Sequence, residues 1–215
     1  MNTLWRKAVR DFWQERTRTI LVVLAIALGI TAFQAVLSTY AILKRELNEG
    51  YLATNPAAAI LQTDRVDGEL LKTILANPEV GDAEARRTIH GRIKSGPMEW
   101  RGLVLFVVDD FSKIRISKLN PEHGAWPPAA GEILIERDAF QVAHTRIGAD
   151  VTVKTTWGKE QTLRVSGGVH DVGQAQARME NQVYGYIAAN TLAQLGEEPF
   201  LDRVLIQVVA NRFDK

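Results

Sequence analysis

The sequence contains no cysteine. This absence excludes disulfides, thiol nucleophiles and thiolate metal sites, so any exported domain must be held by its hydrophobic core. The sequence also lacks a Gly-x-x-x-x-Gly-Lys-Ser/Thr loop, the element that cradles nucleotide phosphates. A net charge of only +1, without a concentrated basic face, argues against nucleic acid as a partner.

What the chain does have is an uncharged run of 25 residues, Thr19 to Leu43. A bilayer core of about 30 Å needs about 20 apolar residues in a helix, so this run is long enough to span it. A signal peptide has a shorter apolar region, of about 7 to 15 residues, and a helix buried in a soluble protein would need the rest of the chain to cover it. The run predicts an uncleaved transmembrane helix over residues 19–43.

The charges on either side of this run predict its orientation. Residues 1–43 carry five Lys and Arg against two acids, a balance of +3, whereas residues 44–215 have a balance of −2. Basic flanks stay in the cytoplasm. We therefore expect a cytoplasmic N-terminus and a main domain on the periplasmic or extracellular side of the inner or plasma membrane.

Residues 1–18 predict an amphipathic leader in contact with membrane lipid. Apolar side chains recur at helical spacing and bases fall on the other faces, which is typical of a helix lying in the membrane interface. A cytoplasmic partner that grips this helix is the alternative. The residues predicted at the interface are Leu4, Trp5, Val9, Phe12 and Trp13.

Within the run, small residues recur four positions apart and so share helix faces. Such residues let a second helix approach closely, because helices in lipid associate through packing. We expect the partner helices in a second copy, another subunit or a missing portion of the gene product. The candidate packing positions are Ala25 with Gly29, and Ala27 with Thr31 and Ala35.

Beyond the run, residues 44–55 predict a helical stalk that Asn55-Pro56 stops, and residues 56–215 predict an α+β domain with mixed strands. Strands are expected over residues 57–62, 83–94, 99–108, 132–136, 151–156, 161–172, 183–187 and 203–209, and helices over 67–75, 137–143 and 191–195.

Residues 120–130, with three prolines and a glycine, predict an extended loop that divides this domain. Its Trp126, Pro127 and Pro128 form a candidate docking surface for a protein partner. A plug that covers the open end of a small sheet is the alternative.

Catalytic and metal-binding patterns are missing around the four histidines, His90, His123, His144 and His170. His170-Asp171 has the closest spacing to a catalytic arrangement, yet adjacent strand residues point to opposite faces. Asp109-Asp110 offers two carboxylates where calcium takes about 6 to 8 oxygens. We therefore expect no enzymatic activity, no metal and no cofactor in this chain.

Two segments of the domain carry a recognisable pattern. Gly131-Glu132 followed by Ile133, Leu134 and Ile135 is its first half, and Gly148 with Val151, then Val165, Gly167 and Val169, is its second. Behind a basic leader and a membrane run, this order resembles the FtsX-like, MacB-type permeases of bacterial ABC transporters and their extracytoplasmic core domain. Ala149-Asp150 departs from the family, in which Asp usually follows the glycine directly.

The resemblance implies the N-terminal portion of a four-span permease, although no second apolar run follows before Lys215. It implies an ABC ATPase subunit as partner, which binds the ATP, and further permease helices or a second permease subunit. The outer domain would transport or extract a hydrophobic substrate, or signal to an envelope partner. The alternatives are a single-span sensor or interaction domain without a transport role, and a tethered hydrolase.

Overall fold

The computed structural model describes residues 16–209, except for the side chains of residues 46–48. These residues belong to two compact units, one up to Glu49 and one from Gly50 onward. The N-terminal unit contains most of helix α1 (Arg16–Ala53), whose apolar window is long enough to cross a membrane. The backbone N–H groups of Thr54 and Asn55 donate hydrogen bonds to the carbonyls of Tyr51 and Leu52 at the end of α1, and Asn55 has a φ of 54°. The predicted stop at Asn55-Pro56 is thereby confirmed.

The second unit is built around nine strands in one mixed sheet, accompanied by short helices. The strands are β1 (Ala59–Gln62), β2 (Val80–Lys94), β3 (Trp100–Val108), β4 (Asn120–Gly124), β5 (Glu132–Glu136), β6 (Asp150–Thr155), β7 (Gln161–His170), β8 (Gln182–Ala188) and β9 (Arg203–Val208). The helices are α2 (Gly68–Leu75), α3 (Ala139–Ala143) and α4 (Ala177–Glu180), with 3-10 turns at Phe111–Lys113 and Ala189–Thr191. The predicted α+β class is confirmed.

Strand pairing closes part of this sheet into a ring. The order along the sheet is β1-β9-β2-β3-β8-β5-β7-β4, and β6 pairs with both β2 and β7. The pairs β3–β8 and β5–β7 are parallel and the others antiparallel. Six strands, β2, β3, β8, β5, β7 and β6, therefore follow one another in a closed circuit, and β9 with β1 extends the sheet from β2.

The main hydrophobic core draws buried side chains from all six strands of the ring. Alternate residues of a strand point to the same face, so most of these strands contribute residues two or four apart. Helices α3 and α4 add alanines and a valine to the same cluster. Side chains that are wholly or almost wholly buried include Ile93, Leu105, Ile133, Val153, Leu163 and Ile187.

The prediction of an extended loop over residues 120–130 is wrong for its first half. Residues Asn120–Gly124 form β4, which pairs antiparallel with β7 as the last strand of the sheet. Proline is tolerated on an edge strand because its missing N–H need not face a partner. Pro121 occupies such a position, and a register shift follows it before His123.

The prediction of a helix over residues 191–195 is also wrong. A 3-10 turn ends at Thr191, and hydrogen-bonded turns continue to Gly196. Leu192 and Leu195 are buried in the core. Their helix-like spacing therefore arises because this turn segment buries both side chains, and not because it forms a helix. Helix α3 begins at Ala139, two residues later than predicted, and its C-cap, His144, has a φ of 49°.

Gly167 tests the pairing of β4 with β7. A Cβ atom there would lie 2.7 Å from the His123 carbonyl oxygen and 2.9 Å from that of Ala125. We expect Gly167→Ala to lower the free energy of unfolding by about 1–3 kcal/mol, because backbone atoms must move apart. The measurement is urea unfolding of the full chain in nanodiscs, followed by tryptophan fluorescence.

Gly102→Ala is the matched control, since the nearest atom to its Cβ would be Gln182 Cγ at an ordinary 3.8 Å. An equal loss of stability in the two variants would contradict the tight approach of β4 to β7.

Candidate functional site

The two turns of the glycine pattern over residues 131–169 both bond to the middle of β7. Gly131 has a φ of 79°, and its carbonyl accepts a hydrogen bond from Arg164 N at 3.1 Å. Gly148 has a φ of 82° and donates its N–H to the Val165 carbonyl at 2.7 Å. Positive φ values favour glycine. Both halves of the pattern therefore build turns that bond to the same strand, and they place no reactive side chain.

The histidines do not assemble into a catalytic or metal-binding group. His170 Nδ1 lies 3.4 Å from Glu136 Oε1, whereas the neighbouring Asp171 accepts a hydrogen bond from the Tyr186 hydroxyl at 2.7 Å. The two side chains thus have separate partners. Across residues 16–209, no group of three or more His, Asp and Glu side chains is placed to hold a metal ion.

The Asp109-Asp110 pair directly follows β3, and Asp110 caps the 3-10 turn Phe111–Lys113. Asp110 Oδ1 accepts hydrogen bonds from the hydroxyl and the N–H of Ser112 at 2.6 and 2.9 Å, and Lys113 Nζ lies 2.9 Å from Oδ2. The Ser112 hydroxyl, followed by Lys113, lowers the pKa of Asp110 to about 2. These contacts occupy the Asp110 carboxylate as a cap for the 3-10 turn.

Trp126 of the proline-rich segment packs inward. Its ring meets the ring of Phe111 edge to face, with centroids 5.0 Å apart. It adds to a second, smaller hydrophobic cluster that includes Leu134 and Tyr186. Pro128 is buried, while Pro127 is exposed. This packing favours the plug interpretation for Trp126; docking of a partner at these three residues stays a prediction.

A double-mutant cycle of Phe111→Ala and Trp126→Ala tests the plug. Because the two rings form an edge-to-face pair, we expect a coupling free energy of about 0.5–1.5 kcal/mol between them. Urea unfolding of the wild type, both single variants and the double variant gives this value. Strictly additive losses would contradict the plug.

The residues predicted to pack against other membrane helices lie within α1. Ala27, Thr31 and Ala35 follow one face of the helix, and the Thr31 hydroxyl bonds to the Ala27 carbonyl at 2.8 Å. Ala25 and Gly29 share another face, and the space beside Gly29 is open. Their role in packing stays a prediction. The predicted interfacial residues Leu4, Trp5, Val9, Phe12 and Trp13 lie outside the described residues.

One face of the sheet carries a cleft that the sequence analysis did not predict. Its volume is about 160 Å³, and its floor includes Arg86 of β2, Arg203 of β9 and Phe106 of β3. Arg86 and Arg203 stand directly opposite each other in the antiparallel pair β2–β9. Tyr186 of β8 stacks on Phe106, with ring centroids 5.2 Å apart. No local sequence pattern predicts this group, because its four members come from four different strands.

The polar groups around the cleft are held in place by hydrogen bonds. The Asp171 carboxylate accepts from Tyr186 and from the N–H of Gly173 at 2.9 Å. Burial, followed by the nearby Asp171 carboxylate, raises the pKa of Tyr186 well above its ordinary value, so its hydroxyl stays protonated. The Glu84 carboxylate contacts Arg86 and accepts from Arg115 N and Ile116 N, both at 3.0 Å.

Comparison with known proteins gave matches among solved structures alone. No family model matches the chain, and no curated protein matches it. The extracellular domain of the noncanonic ABC-type transporter YknZ from Gram-positive bacteria is similar over 71% of this chain and 83% of that domain, with 12% identity and a TM-score of 0.48. The periplasmic region of MacB from Actinobacillus actinomycetemcomitans is similar over 71% of this chain and 69% of that region, with 12% identity and a TM-score of 0.43.

Proposed function

We propose that this chain is a permease component of an ABC transporter, with the domain from Gly50 onward outside the cytoplasm. The observation that carries the proposal is a helix of membrane-spanning length that leads into an α+β domain with the glycine pattern built into it. The pattern's two turns bond to one strand, β7, as a single structural unit. A resemblance spread along the sequence thus corresponds to one connected piece of the fold.

In the proposed system a separate ATPase subunit supplies the energy; such a subunit carries the phosphate-binding loop, which residues 1–215 do not contain. The ATPase would contact the cytoplasmic side, where the basic leader lies in the proposed orientation. A continuous helix such as α1 could carry a displacement from that side to the outer domain if the contacts at its two ends favour different states. In this role the chain itself needs no catalytic residue, metal or cofactor.

The orientation can be tested with single cysteines, because the natural chain has none. Met98 is 95% exposed on the outer domain. We expect M98C to react with a membrane-impermeant maleimide in intact cells, since a long domain after a basic leader is translocated. The control, N2C, should react only after the membrane is permeabilised. The reverse pattern would overturn the proposed orientation.

The ATPase partner can be tested by purifying the full chain from its native membrane in a mild detergent. We expect mass spectrometry to identify a co-purifying protein with the Gly-x-x-x-x-Gly-Lys-Ser/Thr loop. Replacing both Trp5 and Trp13 by alanine should lower its recovery at least about tenfold if the leader is the contact, because buried tryptophans dominate interfaces. Arg164→Met, on the outer domain, is the control.

If the double tryptophan variant recovers as much ATPase as the wild type, the leader is not the ATPase contact and serves only as a lipid anchor. Absence of any such ATPase from the purified complex would overturn the transporter proposal and favour the single-span sensor.

A further inference from the structure

Two arginines face each other across neighbouring strands at the cleft. Like charges directly opposite in an antiparallel pair are destabilising, yet Arg86 and Arg203 occupy such a position. Arg86 has an acidic neighbour, Glu84, and the side chains of Arg86 and Glu84 are nearly buried. Among residues 16–209, the buried Nε of Arg203 has no hydrogen-bond partner. A buried donor without an acceptor costs free energy, and the Arg203 side chain to which this atom belongs lines the cleft.

The acidic groups near Arg203 are engaged elsewhere. Asp171 accepts hydrogen bonds from Tyr186 and the Gly173 N–H, and the Glu84 carboxylate serves Arg86 and two backbone N–H groups. Asp202, the neighbour of Arg203 in the chain, has an ion-pair contact with Arg87 at 3.9 Å. Burial raises the pKa of Asp202, and the nearby charges of Arg87 and Arg203 partly offset that rise. Of the two arginines, Arg86 is therefore paired with Glu84, whereas Arg203 has no ion pair within residues 16–209 and its Nε has no hydrogen-bond partner there.

The rest of the cleft lining is mixed: Thr88, Ser117 and Gln174 are polar, and most of the other lining side chains are apolar. Phe106 and Val108 continue the same face of the sheet, because alternate residues of β3 point to it. Leu205 of β9 lies two residues beyond Arg203 and pairs in register with Ile60 of β1. Ile60 is 61% exposed at the sheet edge. An apolar path thus leads from the arginines to solvent.

We propose that this cleft binds an amphiphile with one anionic headgroup, a phosphate or a carboxylate. The headgroup oxygens accept hydrogen bonds from the guanidinium groups of Arg203 and Arg86, and the first carbons of the chain pack on Phe106 and Leu205. At about 160 Å³ the cleft is smaller than a typical small-molecule site of about 300–1,000 Å³. It therefore holds the headgroup and the adjoining carbons, and a longer chain lies over Ile60.

Three probes separate the parts of this ligand. Hexyl phosphate carries both the anion and the chain, inorganic phosphate only the anion, and hexanol only the chain. Calorimetric titration of the full chain in phosphatidylcholine nanodiscs, with empty discs subtracted, measures each affinity. We expect hexyl phosphate to bind at least about tenfold more tightly than either of the others, because burial of apolar carbons and charge-assisted hydrogen bonds both contribute. Equal affinities for hexyl phosphate and hexanol would overturn the proposal.

Arg203→Met keeps an apolar stem and removes the charge. We expect it to weaken hexyl phosphate binding at least about tenfold. Arg164→Met makes the same change at an exposed position of β7 and should leave the affinity within about twofold. Equal affinities in the wild type and Arg203→Met would overturn the proposal.

The stability of Arg203→Met without ligand distinguishes a binding arginine from a structural one. Removing one of two facing charges relieves repulsion, so the urea midpoint should stay the same or rise. Added hexyl phosphate should raise the midpoint of the wild type but not of this variant. A variant that unfolds at clearly lower urea would identify Arg203 as structural and overturn the proposal.

The headgroup could come from a soluble amphiphile or from a membrane lipid. Nanodiscs with phosphatidylglycerol distinguish the two sources: competition that weakens hexyl phosphate binding to the wild type and to Arg164→Met identifies a lipid headgroup, and undiminished binding identifies a soluble amphiphile. The inference goes beyond the proposed transporter role. Failure of hexyl phosphate binding would leave the ATPase recovery test unaffected.

Discussion

The long strand β2 is the constraint on which the rest of the domain depends. One edge of its 15 residues pairs with β3, and the other edge pairs first with β9 and then with β6. The circuit of six strands closes only because β6 reaches β2 near Gly91, where a Cβ atom would lie 2.5 Å from the Lys154 carbonyl oxygen. The same strand places Arg86 beside β9. The core and the cleft therefore both rest on the register of β2.

Two faces of the central strands serve different purposes. Leu105 and its alternate neighbours on β3 lie in the main core, whereas Phe106 lies on the face that carries the cleft and stacks on Tyr186. The smaller cluster around Phe111 and Trp126 packs next to that second face. Glu84 ties the segment after β3 to the sheet by accepting hydrogen bonds from Arg115 and Ile116. The cleft thus has a supported floor and side.

Much of the fold was predictable from local patterns, and the candidate cleft was not. Apolar runs and turn residues located most strands to within a few residues, and Asp67 caps α2 where the helix was expected to begin, with its carboxylate accepting from Leu70 N at 2.7 Å. Two predictions were wrong where tertiary contacts overrode local chemistry. Pro121 sits on an edge strand that β7 recruits, and Leu192 is buried in a turn where a helical spacing was inferred.

The sequence by itself determined the membrane-length run from Thr19 to Leu43, the absence of thiol and phosphate-loop chemistry, the mixed α+β character and the two glycine turns. Each of these depends on neighbouring residues, whose spacing is visible in one dimension. Only the tertiary structure decided that β6 closes a ring on β2 and that Arg86 stands opposite Arg203. Strand register between distant segments depends on which faces can be buried together, and a shift of β9 by one residue against β2 would send Arg203 to the face opposite to Arg86.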